Sequence, residues 1–564
     1  MIVFVDMKRE NSMVYDSNRK NGDKYQYTDK YATAPYNFVP YDAKNLLKPS
    51  EDNELYSGTI TCSLKALTPL LVAGATDSKE KSKEGPTKRE FFKLNNGKLV
   101  IPGSSLKGML RSHVEALSRS FISIINDKKL FYRNVTGTKS GDYKERGNFP
   151  DTQKKEPILG GYIVKDGSRY QIYPATITRV DENTPGAYKT GPIAKKTKAY
   201  MFGTRSKVPL DVPPEVMKDF FLQMTEFQKS HWKDEKKAME DGIGGRIFYT
   251  VEKNDKSKIH AVGVARYFRI GYAFTPQELA RDLFTAEKNH DTDFALHLFG
   301  CANKEESYKG KVSVEPAYFS KFSVSKADEL TCILGSPHAT DLLHYLYQPK
   351  VNKPQGNKAD DLSNYNDRGS SLRGRKFYWH RDPEKQKEIK NQKVASNLKP
   401  IEKGSEASFV VHLDKVNATE LGVILKVLTQ KEGHALKLGA GKSVGFGSVE
   451  IDIVKTDIKD VSNKYLSLRD RILGKETNSL SKEELDKAVQ AFEQHALMKN
   501  ETSFDDQKYV KEYYTMTDFK NKPNNMYTNT MPLEAKDDDP NFAKSKAMLL
   551  DPISVAKGNC RKEN

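Results

Sequence analysis

The clearest hydrophobic patterns of this 564-residue chain lie in two separated stretches. In the first stretch, apolar and polar residues alternate over 60–66, the period of two that is typical of a half-buried strand. The apolar residues of 106–117 are then spaced by three and four, which predicts an amphipathic helix over 105–120. Ser104 or Ser105 is the expected N-cap of this helix. The first stretch therefore predicts a strand followed by a helix.

The second stretch shows the same order of elements. Residues 408–416 alternate, 418–430 have helical spacing, and 436–454 form a glycine-punctuated loop that leads into a strand. A shorter alternating run at 311–315 lies between the two stretches. Strand, helix, interrupted strands, strand, helix, loop and strand is the order of a βαββαβ ferredoxin-like sandwich, so we expect an α+β fold.

The remaining segments are polar and predict an insertion and two extensions. An Asp-Gly step at 166–167 between two β-rich arms predicts a hairpin over 161–173, and a helix is expected over 277–289. Near the C-terminus we expect a helical pair, 464–473 and 481–497, and then a weakly ordered tail with few branched aliphatic residues. The predicted division is an N-terminal extension 1–55, a first core part 56–127, an insertion subdomain 128–285, a second core part 286–456 and a helical C-terminal extension with its tail, 457–564.

The charge balance indicates a polyanionic partner. The chain has 92 Lys and Arg residues against 75 Asp and Glu residues, a net charge of +17. Such an excess attracts polyanions over long distances and predicts binding that weakens with salt. The charged fraction of 30% exceeds the usual share of about a quarter, which argues against a compact enzyme for small molecules. The alternative is a soluble protein that is merely rich in lysine.

Other classes of protein lack support in the sequence. No run approaches the roughly 18–20 apolar residues of a membrane helix, and the apolar start, residues 1–5, is too short for a signal peptide. The four cysteines are far apart and form no Cys-x-x-Cys pair, so neither a zinc site nor a disulfide framework is expected. We therefore expect a cytoplasmic protein without membrane contact.

The first candidate site is the run 101–111, a Pro-Gly turn followed by a helix start. Free backbone amides and the helix dipole face outward at such a position. Ser104 and Ser105 add hydroxyl groups, and Lys107 and Arg111 are cations one turn apart. This combination suits a phosphate group. The alternative is an ordinary capped helix with a Pro-Gly entry.

The second candidate site is the loop 438–449, which has four glycines in nine residues. Glycine allows positive φ angles and close backbone approach, and successive amides can form an anion-binding nest. A nucleotide-binding P-loop is rejected, because Leu436 stands where its first glycine is required. The alternative is a glycine-rich turn needed only for tight packing. The candidate binding residues of this loop are Gly439, Gly441, Lys442, Ser443, Gly445 and Gly447.

Together, the run 101–111 and the downstream Gly-Lys-Ser-Val-Gly-Phe-Gly loop resemble the RAMP superfamily of CRISPR-associated proteins. The chain looks most like the backbone subunits of type III effector complexes, the seventh Cas family, in a branch with a long insertion. Further stretches that fit this resemblance are Thr68–Val72, Leu298–Gly300, Gly310–Val314, Arg373–Trp379 and Ala34–Pro40.

The resemblance implies a modified RNA-recognition (RRM-like) fold whose subunits stack along a guide RNA (crRNA). It assigns Ser104, Ser105, Lys107 and Arg111 to the helix that faces the guide backbone, and the loop residues to a second backbone contact. Amides, hydroxyls and cations bind an RNA backbone without reading its sequence. The expected partners are crRNA, target RNA and other type III effector subunits.

The run 373–379 also carries candidate RNA-binding residues. Arg373, Arg375 and Lys376 are interleaved with aromatic residues, a combination that can pair phosphates and stack bases. The alternative is an amphipathic strand whose aromatic side chains lie in the core.

Cleavage of target RNA depends on an acidic residue in the loop after the first strand. By resemblance to the cleaving members, Pro86 and Arg89 match the frame, and Glu84 occupies the acidic position; Asp77 is seven residues earlier. A carboxylate can hold a divalent ion such as Mg²⁺ against the scissile phosphate, but Glu is one methylene longer than Asp. We expect a binding subunit rather than a metal-dependent endoribonuclease, and no cofactor unless it cleaves RNA.

Two alternatives remain at this point. A metal-independent endoribonuclease that processes guides has a similar fold and needs a general base, for which His113 and His380 are candidates. A lone histidine on a helix is more often packed or solvated. A general basic RNA-binding protein is the other alternative, although the sheet aromatic signature of such domains is missing.

Overall fold

A computed structural model of the chain describes most of its residues. These are residues 13–14, 26–27, 34–41, 45–74, 86–122, 125, 127–133, 140–150, 156–190, 198–280, 293–302, 307–324, 330–334, 339–349, 363–383, 389, 395–462, 478–522 and 549–557. The chain divides into two compact units. The core unit comprises Met1–Ile125, Gln277–Tyr347 and Ser371–Asn564, and the insertion unit comprises Asn126–Pro276 and Gln348–Ser370.

Strands and helices are numbered separately in chain order. The strands are β1 Met13–Val14, β2 Gln26–Tyr27, β3 Tyr36–Pro40, β4 Tyr56–Ala66, β5 Thr87–Glu90, β6 Val100–Ile101, β7 Phe131–Tyr132, β8 Gly160–Asp166, β9 Arg169–Val180, β10 Tyr188–Lys189, β11 Ala199–Arg205, β12 Leu210–Val212, β13 Gly245–Val251, β14 Ile259–Gly263, β15 Ile270–Gly271, β16 Gly300–Ala302, β17 Ser307–Lys309, β18 Val312–Val314, β19 Ala317–Lys321, β20 Leu330–Cys332, β21 Gly374–Tyr378, β22 Ser396–Lys399, β23 Glu406–Val416, β24 Leu436–Lys437 and β25 Ser448–Asp460. The helices are α1 Gly103–Leu117, α2 Ser140–Arg146, α3 Pro214–Gln223, α4 Glu226–His231, α5 Lys233–Glu240, α6 Pro276–Ala280, α7 Phe294–Phe299, α8 Leu342–Tyr345, α9 Ala418–Leu428, α10 Lys482–His495, α11 Lys508–Thr517 and α12 Pro552–Ala556.

The two predicted strand–helix stretches meet in one sheet of the core unit. Its strand order is β24-β25-β4-β23-β19-β6, and β18 also pairs with β23. The first predicted strand, β4, lies between the two later ones and is antiparallel to both β23 and β25. The strands predicted at 60–66 and 408–416 and the helix predicted at 418–430 are confirmed, with boundaries that differ by a few residues.

One face of this sheet is covered by α1 and α9, which also pack on each other. The apolar positions of the predicted alternation, Ile60, Cys62 and Leu64, are buried beneath these helices. Their burial, with that of the α1 residues Leu106 and Leu110, contributes roughly 1.5–3 kcal/mol per large side chain. The spacing of the apolar residues thus determines which face of each element joins the core.

The N-terminus of α1 differs from the prediction. The helix begins at Gly103 and its N-cap is Pro102, so neither Ser104 nor Ser105 caps it. The carbonyl of Pro102 accepts hydrogen bonds from the amides of Ser105 and Leu106. A Cβ at Gly103 would overlap the carbonyl oxygen of Val314, so close packing against β18 fixes where the helix starts.

The C-terminal region is more ordered than the sequence predicts. The helix predicted at 481–497 is α10, whose N-cap Ser481 forms a capping box with Glu484. Residues of the predicted tail form α11, and its Val510 and Tyr513 are completely buried in the core. Aromatic residues replace branched aliphatic ones there, which is why the composition was misleading. The helix predicted at 464–473 lies outside the described residues.

The insertion unit has its own sheet, with strand order β10-β11-β9-β8-β13-β14, and β12 also pairs with β9. The predicted hairpin is confirmed as β8 and β9, and Gly167 of its turn has a φ of +59°. Phe220, Trp232 and Phe248 are buried in a separate hydrophobic core. Of the helix expected over 277–289, α6 covers the start, and 281–289 lie outside the described residues.

Candidate functional site

The outward face of α1 presents most of the first predicted set of residues. Ser104 is exposed, and Ser105, Lys107 and Arg111 are half-buried. Arg111 Nε donates to Glu115 Oε1 at 3.0 Å, and its guanidinium lies 5.9 Å from the ring centre of Phe299. Burial and the neighbouring Arg111 lower the pKa of Lys107. The face is therefore cationic, and part of the Arg111 charge is offset by its own helix.

The glycine-rich loop between β24 and β25 is held closely against the segment Thr68–Val72, which follows β4. Its glycines at 439, 441, 445 and 447 all have φ between +73° and +94°, the left-handed region that favours glycine. The amide of Ala440 donates to the Leu71 carbonyl at 2.7 Å, and that of Gly447 donates to the Pro69 carbonyl at 2.9 Å. Thr68–Val72, one of the stretches that carry the resemblance, is thus the support of this loop.

The loop does not offer the run of free amides that the sequence predicts. Besides the two amides bonded to the segment Thr68–Val72, those of Val444, Gly445 and Phe446 donate to carbonyls within the loop. Tight turns use these donors internally, because the 3₁₀ turn at 442–444 needs them to close. The anion-binding capacity of the loop therefore depends on its side chains more than on a continuous nest.

Two basic residues that the sequence analysis did not identify, Arg381 and Lys437, donate hydrogen bonds to carbonyls of this loop. Arg381 Nη2 donates to the Ser443 carbonyl at 2.5 Å, and Lys437 Nζ donates to the Phe446 carbonyl at 2.9 Å. Both side chains are buried. Burial, followed by the charges of Lys442 and Arg381, lowers the pKa of Lys437 well below its ordinary value. Among the described residues, no carboxylate lies within ion-pair distance of Lys437 or Lys442.

The sequence contains one signal for these two residues. Arg381 closely follows the aromatic run that the resemblance includes, and Lys437 directly precedes the glycine-rich loop. Lys437 lies between Leu436 and Leu438, so the alternation places its side chain on the solvent side of the strand, and no local pattern predicts that it is buried.

The loop and α1 come together around His113, on the second half of the helix. His113 is buried, and its Nδ1 lies 2.9 Å from the Tyr513 hydroxyl. Burial and the positive charge of Lys442 lower the pKa of His113 to about 3, so Lys442 lies within electrostatic range of α1. Ser105 is eight residues earlier, about 12 Å along the helix axis. Lys442 of the loop is therefore related to the buried side of α1 at His113, whereas Lys107 and Arg111 lie on the outward side of the same helix.

Of the three cations in the run 373–379, Arg375 is buried, and Arg373 and Lys376 are half-buried. β21 pairs with β3, so this run and Ala34–Pro40 form one ribbon. Arg373 Nη2 donates to the Leu549 carbonyl. Arg375 is only 5% exposed and lies over the Tyr41 ring. A phosphate contact requires an accessible guanidinium, so the structure favours the amphipathic-strand alternative.

Lys376 of the same strand is enclosed by aromatic rings. Its Nζ lies 3.8 Å from the ring centre of Tyr36 and 2.8 Å from the Tyr345 hydroxyl oxygen. Burial lowers the pKa of Lys376 to about 8. A cation held by its own aromatic neighbours has little capacity left for an external phosphate.

The cleavage candidates Asp77 and Glu84 lie outside the described residues. Of the surrounding frame, Arg89 is described, and its Nε donates to Ser396 Oγ at 3.3 Å. Within the described part of the chain, no group of three or more His, Cys, Asp or Glu residues is arranged to hold a metal ion.

His380, the other candidate base, is packed. Its Nδ1 lies 2.9 Å from Ser448 Oγ and its Nε2 lies 3.0 Å from the Ala435 carbonyl oxygen. Burial and the nearby Lys437 lower its pKa well below the ordinary value. The two ring nitrogens thus contact the chain on either side of the glycine-rich loop, at Ala435 before β24 and at Ser448 of β25.

Two of the cysteines are buried, and both are free thiols. Burial raises the pKa of Cys62 to about 12 and that of Cys332 to about 11. Across the described ranges, no helix is long and apolar enough to cross a membrane.

Comparison with solved structures finds CRISPR proteins of low sequence identity. A type IV-B CRISPR complex subunit matches with 10% identity and a TM-score of 0.22, covering 70% of this chain and 89% of that one. Csc2 of Thermofilum pendens matches with 12% identity and a TM-score of 0.23, covering 78% and 82%. A chain of the type III-B Cmr-beta complex bound to cognate target RNA matches with 11% identity and a TM-score of 0.20, covering 70% and 97%.

No curated protein matches the sequence. The family model of the RAMP superfamily matches residues 63–450, which include the end of β4, α1, the insertion and the glycine-rich loop. This match spans more than half of the chain and contains both motifs on which the resemblance was based. The chain therefore belongs to the RAMP superfamily.

Proposed function

We propose that this chain is a crRNA-binding subunit of a type III CRISPR effector ribonucleoprotein that acts in antiviral defence. On this proposal the sheet with α1 and α9 is the modified ferredoxin-like core of the family. The observation that carries the proposal is that Lys442 of the glycine-rich loop lies within electrostatic range of α1, which carries Lys107 and Arg111. Family membership over 63–450 supports it.

The cations around the loop suit an RNA backbone. Lys442 and Arg381 both lie within electrostatic range of Lys437, and burial makes their repulsion of Lys437 costly. A phosphate next to Lys442 would offset this repulsion, which gives the site affinity for any nucleotide sequence. The braces on the Ser443 and Phe446 carbonyls keep the loop in one conformation, so little ordering is needed when RNA binds.

The guide is proposed to lie along α1 and the glycine-rich loop. Target RNA and the neighbouring effector subunits are the further proposed partners, and the complex is proposed to act in the cytoplasm. We propose a binding role rather than catalysis. If the chain cleaves target RNA, Mg²⁺ held near Glu84 or Asp77 would supply the Lewis acid.

The first experiment reverses the charge of the two half-buried lysines of the site, Lys107 and Lys442. In Lys107→Glu combined with Lys442→Glu, we expect the RNA that copurifies with the assembled complex to fall about tenfold or more, because two phosphate contacts become repulsive. The matched control is Lys482→Glu with Lys487→Glu, two exposed lysines of α10 that change the net charge by the same amount. Equal RNA content in the two double variants would contradict the site assignment.

The second experiment separates binding from cleavage. A synthetic target RNA and Mg²⁺ are incubated with complexes that contain the wild-type chain, Asp77→Ala or Glu84→Ala. If the chain only binds RNA, any cutting by the complex is the same in all three, whereas loss of cutting in one variant assigns that carboxylate a catalytic role. Processing of a guide precursor by the isolated chain in EDTA would instead support the metal-independent endoribonuclease.

A further inference from the structure

The insertion unit carries a disproportionate share of the positive charge. Residues 126–276 contain 28 Lys and Arg residues and 18 Asp and Glu residues, a net of +10 out of +17 for the whole chain. None of these cations belongs to the site proposed above. An excess of positive charge on one unit is typical of a surface that binds nucleic acid. Such a surface needs some cations that are not paired with carboxylates.

One irregular segment of this unit, Val264–Arg269, meets that condition. It connects β14 to β15, and its sequence is Val-Ala-Arg-Tyr-Phe-Arg. The Tyr188 hydroxyl donates to the Val264 carbonyl at 2.9 Å, and the Tyr143 hydroxyl donates to the Phe268 carbonyl at 2.5 Å. Two buried tyrosines therefore fix the segment at both ends.

Phe268 anchors the middle of the segment. Its ring occupies the space where Gly263 would carry a Cβ, and it packs edge-on against Phe149 with 5.0 Å between ring centres. The side chains on either side of this anchor reach the surface. Arg266 and Tyr267 are half-buried and Arg269 is exposed. The segment is thus a preorganised loop that presents two arginines and one tyrosine.

The arginine and the tyrosine of this loop form a stack. The guanidinium carbon of Arg266 lies 4.8 Å from the ring centre of Tyr267, and Lys144 Nζ lies 6.0 Å from the same ring centre. Arg266 and Arg179 both lie within electrostatic range of the Tyr200 hydroxyl. Tyr267 and Tyr200 are therefore the aromatic neighbours of Arg266, and Lys144 and Arg179 each lie near one of these two tyrosines.

The hydrogen-bonding capacity of Arg266 is incompletely used. Its Nη2 is buried and has no acceptor among the described residues. Within the described part of the chain, no carboxylate pairs with Arg266, Arg269 or Arg179. Because Arg266 and Arg269 have no carboxylate partner there, an incoming phosphate does not have to displace one, as it would at an ion-paired surface arginine.

We propose that the Val264–Arg269 segment is a second RNA-binding site, for single-stranded RNA. The guanidinium groups of Arg266 and Arg269 contact backbone phosphates, and the Arg266–Tyr267 stack provides a flat surface for one base. The combination of free cations and a partly exposed ring favours a nucleic acid over an acidic protein, because a protein carboxylate uses the cations but not the stacking surface. An unpaired base is required for stacking, which favours a single strand.

The test uses the full chain and a 40-nucleotide unstructured RNA. The parent is the Lys107→Glu/Lys442→Glu variant, so that the first site contributes little. Adding Arg266→Glu and Arg269→Glu should weaken binding about tenfold or more. The magnitude of the slope of log K against log salt should decrease by about 1.4, because each phosphate contact on a single strand contributes about 0.7. Tyr267→Leu, which retains an apolar side chain, should weaken binding and leave the slope unchanged.

The matched control is Lys165→Glu with Arg169→Glu on the exposed hairpin of the same unit. An equal loss in this control, or unchanged binding in the Arg266 and Arg269 variant, overturns the proposal. Unchanged RNA binding with loss of another effector subunit also overturns it and assigns the segment to a protein partner. If the double variant unfolds by circular dichroism, Arg266→Gln with Arg269→Gln takes its place, and the same slope change is required of it. Because the first site is already disabled in the parent, failure of this proposal is distinguishable from failure of the proposed function.

Discussion

A buried carboxyl group on α11 makes the stability of the core unit dependent on pH. Glu512 is completely buried, and the nearest cation is Lys508, whose Nζ lies 3.7 Å from Glu512 Oε1 and whose side chain is 76% exposed. Burial, reinforced by Asp551 and opposed by Lys508 and Arg373, raises the pKa of Glu512 from 4.5 to about 7. Glu512→Gln replaces the acid with a neutral group of the same shape.

The size and sign of the effect follow from this pKa. Below pH 4.5 the carboxyl is protonated in both the folded and the unfolded chain, and its contribution to stability is complete. Between pH 4.5 and 7 the unfolded chain loses the proton first, so the free energy of unfolding decreases as the pH rises. At 1.36 kcal/mol per unit of pKa, the loss at pH 8 is about 3 kcal/mol, whereas at pH 5 it is under about 1 kcal/mol. The amide introduced by Glu512→Gln does not ionise, so the free energy of unfolding of the variant lacks this decrease with pH.

The assay is urea unfolding followed by tryptophan emission. The chain has two tryptophans, so a Trp232→Phe background leaves the buried Trp379 as the reporter for the core unit. We expect Glu512→Gln to unfold at a clearly higher urea concentration than its parent at pH 8, and at nearly the same concentration at pH 5. The control is Glu483→Gln at an exposed position of α10, which should leave both midpoints unchanged.

Two results would refute this reasoning. Identical midpoints of the parent and Glu512→Gln at pH 8 would mean that the carboxylate is solvated or paired in the folded chain. A gain of equal size at pH 5 and pH 8 would mean that the substitution acts through packing and that protonation is not involved.

The remaining predictions use the same emission assay. Glu420→Gln should lower the free energy of unfolding by about 3 kcal/mol, because Glu420 is completely buried and accepts from Lys311 Nζ at 2.7 Å; an unchanged midpoint would show that the pair adds nothing. Gly439→Ala should destabilise more than Gly404→Ala. Both residues have φ above +80°, which costs about 1–2 kcal/mol for alanine, but only at Gly439 would the Cβ overlap the Leu71 carbonyl. Only Gly439→Ala should also reduce copurifying RNA, and equal effects of the two variants would contradict the role of close backbone approach.

The local pattern of apolar and polar residues was sufficient to predict the strands and helices that bury one apolar face. The alternation at 60–66 and 408–416 and the helical spacing at 106–117 identified β4, β23 and α1, because a side chain's position in a strand or helix decides whether it faces the core. The glycine-rich loop was recognisable for a similar reason, since only glycine readily adopts its φ angles. These features are encoded within a few neighbouring residues.

Three-dimensional contact decided which charged residues are available to a ligand. In the sequence, Arg375 and Lys442 look alike, each a cation next to glycine and aromatic residues. The pairing of β21 with β3 buries Arg375, and the glycine-rich loop leaves Lys442 half-buried beside α1. Strand pairing joins residues more than 300 positions apart, and no local pattern specifies that partner.

The sequence by itself determined the order of β4, α1, β23, α9 and β25, the net positive charge and the two motifs that identify the superfamily. Only the tertiary structure decided where α1 begins, which amides of the loop are already bonded, and that Arg381 and Lys437 brace it. The physical reason is that periodicity and charge are properties of neighbouring residues. Hydrogen-bond partners, burial and the pKa values that follow from them depend on segments that meet only after folding.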